Sequence, residues 1–269
     1  MLKRFHLRNG NKKTMSKSVS GFTLIELIVV VSIIGLLSSI VMTSLSDARE
    51  RARMAANMQF DANIKHTIGD QMVGEWLFDE ESGNIIYDTS SFGNNGLINT
   101  SNFSKETGIR GKALKLNGTV VNFPQTDILK FNKNSFTATV WMKTDSRADM
   151  RIFSIGDAFL SNYQGYLRSC FNGCDAHSIF ISDNKWHHVA VIGDKKSIRI
   201  YFDGKLMKQH IQDPSSAIMS RVSISEVMHY YGLVDEFRLY SSSLEIAQIE
   251  EIYASEVEKY SEEEIIAKK

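Results

Sequence analysis

From residue 22 to residue 42 the chain reads FTLIELIVVVSIIGLLSSIVM, an apolar run interrupted by one ionisable residue, Glu26. As a helix rising about 1.5 Å per residue, these positions extend about 31 Å, matching a hydrocarbon layer about 30 Å thick. Further on, the apolar positions thin to a stripe. Ala48, Ala52, Ala55, Met58, Ala62 and Ile68 recur at three-, four- and six-residue steps, while Asp47, Arg49, Glu50, Arg51 and Arg53 take mostly solvent-facing positions. That spacing predicts one continuous helix from Phe22 to Ile68, about 70 Å long. Gly35 weakens it locally by up to ~1 kcal/mol, which suits either close helix packing or a point where the helix extends.

After Gly69-Asp70 the pattern changes to short apolar runs punctuated by glycine, Asn-Gly and Asp-Gly. Thirteen runs between Gly74 and Tyr240 read as strands, among them Phe136–Met142, Gly165–Cys170, His187–Ile192 and Val234–Tyr240. Asp203-Gly204 joins Ser197–Phe202 to Lys205–His210 with the chemistry of a two-residue type I′ turn. So many short strands with hardly any helix predict a sandwich or barrel. A final helix is expected over Leu244–Ala254, with Ile246, Ile249, Ile252 and Tyr253 on its apolar side. A charged, solvated tail is expected from Ser255 to Lys269.

Charge refines this picture. Residues 1–21 contain Lys3, Arg4, Arg8, Lys12, Lys13 and Lys17 and no acid, leaving 25 basic against 31 acidic residues in the remainder. An acidic remainder argues against nucleic acid as a partner. The basic start should stay in the cytoplasm, with everything beyond residue 42 outside. A carboxylate within a membrane span costs about 2.5–3.5 kcal/mol on insertion scales, so Glu26 is expected to have a specific task. Cys170 and Cys174 flank Phe171-Asn172-Gly173, a loop able to bend tightly. For an exported domain a small-loop disulfide is the better reading, a pair of reduced thiols the other.

Gly21-Phe22-Thr23-Leu24-Ile25-Glu26 resembles the processing site of type IV prepilins and of the pseudopilins of type II secretion. The resemblance implies a leader at 1–21 and cleavage between Gly21 and Phe22 by a prepilin peptidase. N-methylation of Phe22 and an assembly helix at 22–72 follow. It also implies that Glu26 neutralises the new α-amino group of Phe22 on a neighbouring subunit, so that other pilin subunits are partners. Either Met1 or Met15 is compatible with such a leader. The expected location is a bacterial cytoplasmic membrane, as a single-pass precursor with the β-domain outside, followed by an extracellular pilus or pseudopilus.

A second resemblance covers residues 73–254. Glu75-Trp76-Leu77-Phe78-Asp79, Tyr87-Asp88-Thr89-Ser90, Gly111-Lys112-Ala113-Leu114, Phe136 to Lys143, Trp186-His187-His188-Val189 and Leu233 to Tyr240 are similar, in this order, to laminin-G-like, concanavalin A-like jelly rolls. The resemblance implies an antiparallel β-sandwich, a mainly β head on a pilin helix, often serving to bind carbohydrate or protein. It implies a structural Ca²⁺ near Asp88, Asn94, Asn95 and Asp235; the other reading has Asp88 capping a turn and Asp235 accepting a hydrogen bond. A glycan surface would need exposed rings, for which Tyr163, Tyr166, Tyr230, Tyr231 and Phe171 stand in loop-like contexts. Relatives that hydrolyse β-glucans carry Glu-x-Asp-x-x-Glu on one strand. That spacing is absent here, and no cofactor or triad signature stands out, so no enzyme is expected. His187 and His188 are strand neighbours that face opposite ways and cannot chelate one ion; they read as a fold signature with Trp186 against the core. The expected function is a pilin-like filament subunit displaying a lectin-like adhesion domain. The alternatives are a pseudopilin of a secretion or DNA-uptake machine, and a membrane-anchored unpolymerised lectin.

Overall fold

The computed structural model describes residues 23–39, 41–42, 44–45, 68–129, 135–156, 158–171, 173–194, 196–211 and 221–267. The chain divides into two compact units, Met1–Gln59 and Phe60–Lys269.

In the first unit, residues 24–39 form helix α1, and 41–42 and 44–45 are also helical. Thr23 opens α1 through a reciprocal cap. Its Oγ1 accepts from the Glu26 amide at 3.3 Å, and Glu26 Oε2 accepts from the Thr23 amide at 2.9 Å. This is a capping box, with two otherwise orphaned amides satisfied by each other's side chains. Among the described residues no helix is long and apolar enough to cross a membrane; the stretch 24–39 accounts for about 24 Å of rise.

The second unit is a sandwich of two eight-stranded antiparallel sheets. One, sheet A, is ordered β14 (Lys205–Ile211), β13 (Ser197–Phe202), β12 (His187–Asp194), β7 (Ser135–Lys143), β16 (Tyr231–Tyr240), β5 (Lys112–Asn117) and β4 (Phe103–Thr107). Its eighth strand, β1 (Met72–Trp76), also pairs with β16. Sheet B runs β11 (Cys174–Phe180), β10 (Tyr166–Cys170), β9 (Ala158–Tyr163), β8 (Met150–Ile155), β15 (Val222–Ile224), β6 (Val121–Asn122), β3 (Gly96–Ile98) and β2 (Ile85–Ile86). Among the described residues sixteen strands replace the thirteen expected. The additions are β3, three residues long, β4, which is polar, and β9. Asp203 and Gly204 hold φ values of 47° and 75°, the left-handed pair that a type I′ turn needs between β13 and β14.

Between the sheets lies one core, in which Trp76 touches Phe123 at 4.1 Å and Phe237 at 5.4 Å between ring centroids. The central strands of sheet A are buried on both faces. In β12, Val189 and Val191 enter this core, whereas Ala190 and Ile192 join a second cluster with Ile68, Met72, Tyr201, Tyr240, Leu244, Ile249 and Ile252. Ile249 and Ile252 belong to α2 (Ile246–Ala267), which therefore lies over the outer face of sheet A. Burying each of these isoleucines contributes about 1.5–3 kcal/mol. The expected tail is corrected here. The helix continues through Ala267, because Glu256 is buried and bonded to Trp141 Nε1 at 2.5 Å and to Arg238.

Candidate functional site

Sheet A is closed on its outer side by α2; among the described residues sheet B has no second apolar cluster to match. Its outer surface is the β face that α2 leaves uncovered. Strand alternation and register place the side chains there. Leu160 and Leu167 point into the core, so Phe159, Ser161 and Tyr163 of β9 point outward. Pairing sets Tyr166 against Tyr163, Arg168 against Ser161 and Cys170 against Phe159. On the other side of β9, Arg151 pairs with Ser161 and Ser154 with Phe159. The β9–β10 hairpin turns on Gln164 and Gly165, both at positive φ, 55° and 96°.

The result is a platform of rings and guanidinium groups. Arg151 lies 3.8 Å above the centroid of Phe159, and Arg168 lies 4.6 Å above that of Tyr163. Arg168 Nε donates to Ser161 Oγ at 3.0 Å. Tyr166, 44% exposed, meets Phe180 edge-on at 5.4 Å, with Arg147 over Phe180 at 5.2 Å. Flat rings backed by planar cations present apolar faces beside hydrogen-bond donors, a combination suited to a sugar's C–H face and its hydroxyls. Two further concavities exist. A groove of about 680 Å³ includes Phe103, Lys105 and Lys112, the lysines being held by Glu80 and Glu81. A cleft of about 350 Å³ has Trp186 and Tyr253 in its walls. Trp186 is thus half-buried at a cleft, not in the core as expected; His188, on the same side of β12 as Ala190 and Ile192, is buried against Trp141 and Tyr253.

Of the aromatic candidates, Tyr163 and Tyr166 stand together on the platform. Tyr230 and Phe171 are corrected: both are buried. Tyr230 donates its hydroxyl to the Lys143 carbonyl at 3.1 Å, and burial pushes its pKa up. Tyr231 is exposed at the start of β16, in sheet A, with its ring beside Gly118. Cys170 and Cys174 form a disulfide with their Cα atoms 4.1 Å apart, closing the β10–β11 hairpin at one end of the platform.

The four positions named for calcium take part in two separate sets of hydrogen bonds. Asp88 accepts from the amides of Glu75, Ser90 and Asn94, and its own amide donates to Asn95 Oδ1. Asn94 bonds the Val73 carbonyl and Thr126, and its carbonyl receives Trp76 Nε1 at 3.0 Å. Asp235 lies in β16, accepting from the amides of Ile109 and Glu236 at 2.8 and 2.9 Å; burial, then Glu236, raises its pKa well above the ordinary range. Among the described residues no three His, Cys, Asp or Glu side chains are placed to hold a metal. Gly21 and Phe22 lie outside the described residues; Glu26 forms the capping box given above.

One cluster has the outline of a catalytic triad. Ser169 Oγ lies 3.3 Å from His210 Nε2, and His210 Nδ1 lies 3.2 Å from Asp175 Oδ2. Ser169 is wholly buried and also bonds His177 Nε2 at 2.8 Å, so its hydroxyl ties sheet B to β14 of sheet A. Burial, followed by the neighbouring His210, lowers the pKa of His177; burial is also the main cause that lowers that of His210.

Sequence reasoning missed Phe159, Arg151 and Arg168. The signal was present: Phe159-x-Ser161-x-Tyr163 and Tyr166-x-Arg168 flank Gln164-Gly165, a two-residue turn that sets all five on one face.

Comparison with known proteins agrees with this architecture. Residues 116–250, half of the chain, match the concanavalin A-like lectin/glucanases superfamily, and residues 16–42 match the prokaryotic N-terminal methylation motif. Among solved structures, the binding domain of Paraclostridial mosquitocidal protein 1 aligns at 17% identity and a TM-score of 0.58, over 70% of this chain and 52% of that one. The binding domain of botulinum neurotoxin DC, solved in complex with SialylT, aligns at 15% identity and a TM-score of 0.57, over 71% and 52%. Domain 4 of AbnA, an extracellular arabinanase from Geobacillus stearothermophilus solved with arabinotriose, aligns at 18% identity and a TM-score of 0.55, over 68% and 98%. The alignments thus span about half the length of the toxin binding domains. At these identities the likeness is one of fold. No curated protein matches.

Proposed function

Because this chain belongs to the concanavalin A-like lectin/glucanases superfamily and carries a prokaryotic N-terminal methylation motif, we propose that it is a pilin-like filament subunit whose sandwich binds glycans outside the cell. The observation that carries the binding half is the open platform of Phe159, Tyr163, Tyr166 and Phe180 on sheet B, the sheet that α2 leaves uncovered. Similar folds solved with arabinotriose and with SialylT support a carbohydrate ligand. Binding, not hydrolysis, is the reading: Asp235 and Glu236 are buried, and Ser169 offers no surface to a substrate. The assembly half rests on the methylation motif. It supports removal of residues 1–21 by a prepilin peptidase, methylation of Phe22, a membrane-held precursor and pairing of subunits through the N-terminal helix.

Two measurements test the halves separately. Mass spectrometry of the mature protein should find N-methylated Phe22 at its start, and immunogold labelling should decorate surface filaments. A glycan array probed with the full chain in detergent should give binding that Tyr166→Ala weakens by roughly tenfold, about the 1.4 kcal/mol of a lost ring stack. A retained leader would overturn the assembly half; an array without signal would overturn the binding half.

A further inference from the structure

We infer that the platform selects acidic glycans, taking a carboxylate or sulfate on Arg151 and Arg168 while the adjoining rings hold the sugar. This deepens the glycan-binding reading and rests on it.

Three observations point to an anion. First, Arg151 and Arg168 form no ion pair among the described residues: Arg151 rests on Phe159, and Arg168 on Tyr163 with one bond, Nε to Ser161. The two flank Ser161 from β8 and β10, and their like charges repel: after burial, and against the larger opposing effect of Glu226, Arg168 lowers the pKa of Arg151. An anion bound at this patch offsets that repulsion and gains charge-assisted hydrogen bonds. Secondly, polar capacity is unspent at the same spot. Ser154, 0% exposed and outward-facing on β8, has no partner for its hydroxyl, and Arg151 Nε is buried without an acceptor. Orphan groups of this kind are rare in folded proteins and mark places completed by something else. Arg151 as a whole is only half-buried. Thirdly, the acid that acts on Arg151 is already committed. Glu226, whose charge acts on Arg151, is bound by Arg221 at 2.9 Å and by Ser223 Oγ at 2.8 Å, and Arg221 also reaches Asn122. The cationic patch stands on an otherwise acidic remainder of the chain, 25 basic against 31 acidic residues beyond residue 21.

The test uses the full chain in detergent. Titration calorimetry with oligogalacturonate (carboxylate), a heparin-derived oligosaccharide (sulfate) and neutral arabinotriose is run at low and high salt. The expected result is binding of one or both acidic ligands at least tenfold tighter than arabinotriose, weakening as salt rises. Arg151→Gln and Arg168→Gln should each cost at least tenfold, with Arg168→Lys restoring only part. Oligogalacturonate alone would assign the anion as a carboxylate, the heparin fragment alone as a sulfate, and either supports the inference. Equal or tighter binding of arabinotriose, or acidic binding unchanged in Arg168→Gln, overturns it while leaving the glycan reading in place. Silence from all three ligands, combined with neutral binding on the array, also overturns it; silence on the array as well defeats the parent reading. Should Arg151→Gln unfold, Arg168→Gln decides, since its Nε bond is to Ser161 alone.

Discussion

Arg238 of the last strand donates its Nε to Glu75 of the first at 2.9 Å, joining residues 163 apart in sequence. The remaining nitrogens of the same guanidinium go to Glu236 and Glu256, so β1, β16 and α2 converge on one buried cation. Thr89 completes the ring by donating to Glu75 Oε2 at 2.8 Å. Three carboxylates around one guanidinium make a dense network in low dielectric, where removing the shared partner is far more costly than removing any one of the others.

Arg238→Met should therefore lose about 3–5 kcal/mol, since it strands three buried carboxylates. Urea unfolding would measure it. A loss below about 1 kcal/mol would mean that the network contributes little to holding α2 and β1 on the sheet.

The network also predicts a pH dependence. Burial, followed by the repulsion of Glu256 and Glu75 against the pull of Arg238, pushes Glu236 up to about 7. One of its oxygens is buried without a partner. A carboxyl whose folded-state pKa is raised contributes stability that is full below its ordinary pKa near 4.5 and is lost as pH rises through about 7. Glu236→Gln is neutral throughout, so its melting temperature relative to the parent protein should climb between pH 5 and pH 8. A constant difference across that range would assign the proton elsewhere.

The Cys170–Cys174 bond closes a five-residue loop, for which loss of chain entropy in the unfolded state suggests about 2 kcal/mol. Reductant should lower the melting temperature of the parent protein and leave a Cys170→Ser, Cys174→Ser double variant unchanged. Because Cys170 faces Phe159 across β9 and β10, the same variant should weaken glycan binding modestly.

Glu26 has two possible tasks that a pair of substitutions separates. Gln can keep the capping box with Thr23 but carries no charge. If Glu26 pairs with the α-amino group of a neighbouring subunit, Glu26→Gln and Glu26→Ala should both be processed and both fail to form filaments. Normal filaments from Glu26→Gln alone would reduce its role to the cap.

The two ends of the chain differ in how far local pattern carries. The apolar run at 22–42, the lone Glu26 and the glycine before Phe22 depend on neighbours in sequence, so the methylation motif and the helix over 24–39 were legible without a fold. The sandwich was legible too, because strand runs and the Asp203-Gly204 turn are local signals. What eluded the sequence was facing. Ala190 and Ile192 are as apolar as Val189 and Val191, and nothing in that run shows that one pair meets sheet B while the other meets a helix 60 residues later. Glu256 looked like a solvated charge, since its partner Arg238 is 18 positions away and becomes its neighbour only when α2 lies down on sheet A.

The tyrosines show the same division. Tyr230 and Tyr231 are adjacent in sequence, yet one is sealed in the core and the other exposed, while Tyr163 and Tyr166 share a surface through a hairpin. Residue type and period determined which elements form, because hydrogen bonding and side-chain alternation act over a few residues. Sheet order, the covering of one face by α2 and the gathering of Arg151, Ser154 and Arg168 were decided by tertiary packing, because burial and charge pairing depend on distance through space.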